Sequence, residues 1–231
     1  MNGRCLIIGD IHGCSATFKE LLNKAGLTTD DKLILLGDYI DRGHDSSGVI
    51  DFIIELQSKG YDIVPLRGNH EENLLNALEE YPPEVFKHFV DKINKSSDLL
   101  DSEGRLQDKY LNFIKDLPYF YESEGYFIVH AGLNFKTDDP LSDTVSMLEI
   151  RDFAGNADIS LIGSKRIIHG HQPVTFYEIE KAIMDGADVI PLDNGCVYTK
   201  PHKVYDYKQL GNLCCFDATN ENLIFQKNIE K

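Results

Sequence analysis

No run of roughly 18 or more apolar residues occurs in this 231-residue chain, which excludes a membrane-spanning helix. No two of its five cysteines (Cys5, Cys14, Cys196, Cys214, Cys215) are spaced C-x-x-C, and their number is odd. The opening stretch MNGRCLIIGD meets Asp10 too early for a secretory signal, so free thiols in a reducing cytoplasm are expected, with no structural zinc cage. Positive charge is scarce. Lys and Arg total 23 against 38 Asp and Glu, a net charge of −15. Such a surface repels extended nucleic acid, although divalent ions in a cleft can reverse the local field for a small phosphate-bearing substrate. Internal repeats and low-complexity segments are also missing. What remains is ordinary: 42% hydrophobic and 26% charged residues, enough for one sizeable domain over 1–231 and marginal for two.

The first third of the chain alternates in period. RCLIIGD is an apolar run ending in a polar turn. SATFKELLNKAG then sets Phe18, Leu21, Leu22 and Ala25 at helical spacing, with Gly26 as a stop. KLILLGD repeats the strand, and SSGVIDFIIELQSKG repeats the helix, with Val49, Phe52, Ile53 and Leu56 on one face and Gly60 at its end. YDIVPLRGNH is a third strand. This β-α-β-α-β order predicts right-handed crossovers and a largely parallel sheet, an α/β architecture. From about residue 71 to 117 the pattern predicts a helical excursion: Leu74, Leu75 and Leu78 in one helix, a break at Pro82 and Pro83, then Val85–Val90, then Tyr110–Leu117. NKSSDLLDSEG is the most loop-like stretch. Strands are expected again at GYFIVHAG, RIIHGH, DVIPLDNG, NLCCFDA and NLIFQKN, the last two as an antiparallel hairpin.

A polar group follows strand after strand. Asp10 and His12 follow the first, Asp38 the second and Asn69 and His70 the third; His130 ends YFIVH and His171 follows RIIHG. At the carboxyl edge of a mainly parallel sheet these groups converge. Gly9 and Gly13 let the backbone turn tightly around Asp10 and His12. The set holds oxygen and imidazole donors with no thiolate, which suits Mn, Fe or Zn. With His70 set aside, six donors are too many for one catalytic ion with open positions. They suit two ions, roughly 4 Å apart, sharing one carboxylate and activating water for in-line attack on phosphorus. Arg42 can fork two hydrogen bonds to a phosphate. His70, oriented by Asp41, can donate a proton to the departing oxygen.

GDIHG, GDYIDRG, RGNHE, HAG and HGHQP, in this order from Gly9 to Pro173, resemble the signature of PPP-type serine/threonine phosphatases, in their compact bacterial and phage branch, within the calcineurin-like metallophosphoesterases. The resemblance implies two mixed β-sheets packed as a sandwich and flanked by helices. It implies that Asp10 and His12 hold a first divalent ion, that Asp38 bridges, and that Asn69, His130 and His171 hold a second. Manganese leads, with iron or zinc as alternatives. His70 with Asp41 would be the acid pair, and Arg42 the phosphate-binding arginine. MLEIRDF resembles the segment that carries a second such arginine, which nominates Arg151, although Glu149 stands where relatives often have Trp.

Other histidines are read as structural (His169) or surface (His44, His88, His202), Arg67 as a brace for its loop, and Tyr39 as packing or support. The leading functional expectation is a serine/threonine protein phosphatase acting by direct water attack, with phosphoprotein or small phosphoester partners. The alternative is a symmetric diadenosine tetraphosphate hydrolase or other nucleotide phosphoesterase, whose nucleoside pocket the 71–117 excursion and the segment near Glu149 would build. A non-catalytic scaffold would have lost a ligand or the acid pair, and none is missing.

Overall fold

The apolar runs of the first third become strands buried on both faces. The structure, a computed structural model, describes residues 3–230. Strands β1 (Cys5–Ile8), β2 (Lys32–Leu35) and β3 (Asp62–Pro65) are parallel, joined by helices α1 (Ser15–Ala25) and α2 (Ser46–Ser58). The C-terminal strands β8 (Asn212–Asp217) and β9 (Asn222–Lys227) run antiparallel and complete a sheet of order β3-β2-β1-β8-β9. A second sheet of order β4-β5-β6-β7 is built from β4 (Phe120–Ser123), β5 (Tyr126–Val129), β6 (Arg166–His169) and β7 (Val189–Pro191), the last three parallel.

The two-residue period of each strand divides the core into three layers. Leu6, Ile8, Leu33 and Leu35 face α1, α2 and the excursion; Ile7 and Ile34 face the second sheet, where they meet Ile128, Ile168 and Ile190. Phe127, Val129 and Ile167 point out of the other side, under Met147 and Phe153. Each such fully buried side chain contributes about 1.5–3 kcal/mol. Cys214 and Cys215 fall on opposite faces, as adjacent strand residues must. Helix α1 ends at Gly26, whose φ of 61° supplies the left-handed stop.

The helical excursion is present. It comprises α3 (Asn69–Glu80), α4 (Pro83–His88) running into a π-helical turn over Phe89–Asn94, and α5 (Asp108–Lys115). Pro83 sits at the first helical position, where its missing N–H costs nothing, so it starts α4 while ending α3. Leu74, Phe86, Val90, Tyr110 and Ile114 share a hydrophobic cluster with α1 and α2.

One expectation changes, and three elements are additional. The stretch read as most loop-like, 94–104, buries Ser96 and Leu99 completely and contains a 3₁₀ turn at Ser97–Leu99. Strand β4 lies between the excursion, read as ending at Leu117, and the expected strand GYFIVHAG, in residues to which no element was assigned. It forms a tight hairpin with β5, turned by Gly125 at φ 83°. Helices α6 (Thr144–Glu149) and α7 (Phe176–Met184) are further elements; α7 begins with a reciprocal cap between Thr175 and Glu178. Among the described residues, no helix is long and apolar enough to cross a membrane.

Candidate metal centre

The carboxyl ends of β1, β2 and β3 meet those of β5, β6 and β7 at one end of the sandwich. Asp10, Asp38 and Asn69 therefore arrive from one sheet, and His130, His171 and Asp193 from the other. The expected six donors do come together. Asp38 Oδ2 lies 3.4 Å from His12 Nε2, and its Oδ1 lies 3.6 Å from His130 Nε2, so one carboxylate stands between two imidazoles. Asp10 accepts the His171 backbone N–H on both oxygens, at 3.1 and 3.0 Å. Asn69 Oδ1 lies 3.1 Å from both His130 Nε2 and His171 Nδ1.

The donor chemistry fits cations. His12 Nδ1 and His130 Nδ1 each donate to a backbone carbonyl, of Ile40 and Leu36, at 2.9 Å. That fixes the tautomer and leaves each Nε2 with a lone pair. The His130 lone pair faces Asn69 Oδ1, another acceptor, with no proton between them. Burial lowers the pKa of His12, His130 and His171, the last to about 3, which keeps these imidazoles neutral and able to bind metal. Burial, Asp193 and Asp38 push the Asp10 carboxyl up, because neighbouring carboxylates need a cation to ionise together. Within 4.8 Å of one another lie two groups of possible ligand atoms, one from His12, Asp38 and His70, the other from Asp10, Asp38 and His130. Asp38 belongs to both.

His70 differs from the other three imidazoles. Burial would lower its pKa, but the charge of Asp38 and the hydrogen bond that His70 donates to Asp41 outweigh burial and raise it. Its Nδ1 lies 2.6 Å from Asp41 Oδ2, and its Nε2 is 3.9 Å from Asp38. Ser96 donates to the other Asp41 oxygen at 2.6 Å, and Asp41 N–H in turn meets Ser46 and Ser96 Oγ. Three imidazoles held neutral by burial stand beside one whose protonated form is favoured, the separation that acid–base work needs.

The backbone carries the cost of this arrangement. His12, Asp38, Asp41, Arg42 and His171 all have φ between 46° and 70°. Each such residue is strained by about 1–2 kcal/mol. Glu71, fully buried, holds the Asp38 turn in place. It accepts N–H bonds from Asp38 and Tyr39 at 2.8 Å, Gly68 at 3.0 Å and Ile40 at 3.3 Å. Burial and Asp38 push its pKa up to about 8 against those four donors. Gly68 and Gly170 are obligatory, since a Cβ there would lie 2.2 Å from Asp38 Oδ1 and 2.1 Å from Asp10 Oδ1.

Arg42 is exposed at the rim, donating to His12 Nε2 and lying 5.9 Å from the Tyr198 ring centre. Arg151 is exposed beyond α6 and close enough to His171 for its charge to depress that pKa, with no ion-pair partner among the described residues. His169 packs edge-on against Phe153 at 5.1 Å, Tyr39 is buried with its hydroxyl on Leu66 O, and Arg67 ties its loop to Ile114 and Lys115. Sequence reasoning missed Ser46, Ser96, Glu71 and Asp193. Asp193 was within reach, because it follows β7 in LDNG as Asp10 and Asp38 follow their strands. Burial raises its pKa to about 7. The serines carry no signal, since their partners are 5 and 55 residues away.

The family profile described as calcineurin-like phosphoesterase matches residues 3–213. A symmetrical bis(5'-nucleosyl)-tetraphosphatase from Nitrosospira multiformis is 32% identical over 127 residues, 54% of this chain and 42% of that protein. The chain spans about half the length of the curated relatives it matches, from 42% to 59%. Two solved structures share the fold over the whole chain. One, described as that of a candidate diadenosine tetraphosphatase, has a TM-score of 0.66 at 19% identity and is covered to 96%. The other, a protein serine/threonine phosphatase from Saccharomyces cerevisiae, has a TM-score of 0.60 at 16% identity and is covered to 81%.

Proposed function

We propose, since the chain belongs to the calcineurin-like phosphoesterase family, that it is a dimetal hydrolase cleaving dinucleoside tetraphosphates symmetrically into two nucleoside diphosphates. The observation that carries the reaction class is Asp38, one carboxylate standing between His12 and His130. Support for the substrate comes from the curated relatives, which bear the name of symmetrical tetraphosphatases. That name favours the nucleotide alternative over the protein phosphatase that the motifs first suggested. Likeness to the yeast phosphatase is one of fold.

In this reading Asp10, His12 and Asp38 would hold one divalent ion, and Asp38, Asn69, His130 and His171 would hold the other, with manganese as the proposed metal. When bound, such ions lower the pKa of water and draw charge from the phosphoryl oxygens. Arg42, and Arg151 from the opposite rim, hold the phosphate under attack by charge-assisted hydrogen bonds. Water attacks an inner phosphorus, the bridging P–O bond breaks, and the departing oxygen takes a proton from His70 Nε2. Asp41 keeps the imidazole oriented through Nδ1, and Ser96 fixes Asp41.

Turnover of diadenosine tetraphosphate and of a phosphoserine peptide, each with manganese, tests the substrate. We expect kcat/KM for the dinucleotide to be larger by tenfold or more. A larger value for the peptide would return the chain to the protein-phosphatase class while leaving the metal assignment in place.

A further inference from the structure

A cavity of about 630 Å³ opens beside His70, Asp41 and Arg42 and runs away from the metal donors. Its far walls come from the end of the π-helical turn, Ile93–Lys95, and from the loop Val197–His202. We propose that this cavity is the subsite for the departing nucleoside diphosphate, with Lys95 and Lys200 for its phosphates and Tyr198 and His202 for its base. The proposal rests on the dinucleotide reading above.

Position is the first argument. His70 gives its proton to the departing oxygen, so whatever is attached to that oxygen lies on the His70 side. Charge is the second. The chain is strongly acidic, yet Arg42, Lys95 and Lys200 all line this one cavity, and none of them is in an ion pair with a carboxylate among the described residues. The two acids in its wall are engaged. Asp41 is held by His70 and Ser96, and Glu230 Oε1 takes the N–H and hydroxyl of Thr17. A second hollow, of about 370 Å³, also touches His70 but is lined by Asn73, Asn76 and Glu80 without a lysine or arginine. A polyphosphate therefore favours the first.

Shape is the third argument. The rings of Tyr198, His202 and Tyr205 cluster with centroids 4.9 to 5.3 Å apart, and His202 is exposed. An aromatic face of this kind stacks a base without demanding its identity. The backbone supplies the fourth. The π-helical turn ends on Lys95 at φ 64°, left-handed for a residue with a side chain, and Asn94 O accepts the Arg42 N–H at 3.2 Å. Strained non-glycine backbone and π turns concentrate at functional sites. Here they fix Lys95 beside Arg42.

The test compares wild type, the double variant Lys95→Ala/Lys200→Ala, and His202→Ala, each loaded with manganese. The readouts are kcat/KM for diadenosine tetraphosphate, kcat/KM for p-nitrophenyl phosphate, and the inhibition constant of ADP. We expect the dinucleotide-to-nitrophenyl ratio to fall about thirtyfold in the double variant and roughly tenfold in His202→Ala, mostly through KM. The ADP inhibition constant should rise in parallel. Unchanged ratios and ADP inhibition, with wild type cleaving the dinucleotide, would overturn the subsite and leave the function standing. Equal losses on both substrates would also overturn it, by tying these residues to the metal centre. Wild type that cleaves p-nitrophenyl phosphate but not the dinucleotide would remove the functional reading, and the subsite with it.

Discussion

His70→Asn lowers kcat for a phosphoserine peptide by roughly 10²–10⁴-fold, and for diadenosine tetraphosphate by about 10- to 100-fold. The difference follows from the leaving groups. A departing nucleoside diphosphate leaves through a phosphate oxygen whose second pKa is about 6, so it needs little help at neutral pH. A serine alkoxide is far more basic and depends on the proton that His70 supplies. The variant keeps a side chain of similar shape with no transferable proton. His70 also stands with His12 and Asp38 among atoms close enough to share an ion, so the geometry suits a ligand role as well as an acid role. Metal content decides between the two. Manganese bound per chain is expected to be the same in His70→Asn as in wild type. Loss of one equivalent would make His70 a ligand and end its assignment as the acid.

Asp38→Asn is expected to lower kcat/KM on every phosphoester by at least about 10³-fold, a loss near 4 kcal/mol of transition-state stabilisation. Asp38 is the only carboxylate common to both donor groups, and its partners already face it: His12 and His70 on Oδ2, His130 on Oδ1. Burial works against its charge, but His130, His70, His12 and Arg42 hold its pKa below the usual carboxylate range. Asparagine offers one neutral oxygen in place of two charged ones, so neither ion keeps its shared ligand. Thermal unfolding reads the loss without any assay of activity. With manganese at about 100 times its dissociation constant, wild type gains about 2.7 kcal/mol, a rise of roughly 5–10 °C for a chain of this size. The variant should show little of that rise, and a full rise would contradict the sharing of Asp38.

Much of this was legible in the sequence, because the same physics acts at both levels. Strands buried on both faces must be apolar throughout, which made CLII and KLIL visible as runs; their ends must turn, which made the glycines and acids visible. Period and stop together gave α1 its bounds, down to Gly26. The excursion was readable because Pro83 can begin a helix as well as end one. The losses have physical reasons too. The strand FYES has no apolar face to betray it and owes its pairing to the turn at Gly125. The 94–104 stretch looks polar, yet Ser96 is buried since its hydroxyl answers both the carboxylate and the N–H of Asp41. Residues that act through a partner distant in the chain leave no local pattern. The capping box TFYE, by contrast, was present in the letters and would have marked the start of α7. The nucleoside pocket was expected to be built by the 71–117 excursion and the segment near Glu149, and the cavity proposed for it keeps the first of these walls. Its other wall comes from Val197–His202.

The most direct test of the central claim is the product of exhaustive digestion of diadenosine tetraphosphate by the manganese-loaded protein, separated by ion-exchange chromatography. The account predicts ADP alone, formed in twice the amount of substrate consumed. ATP and AMP in equal amounts, or intact dinucleotide in a preparation that cleaves p-nitrophenyl phosphate, would contradict it.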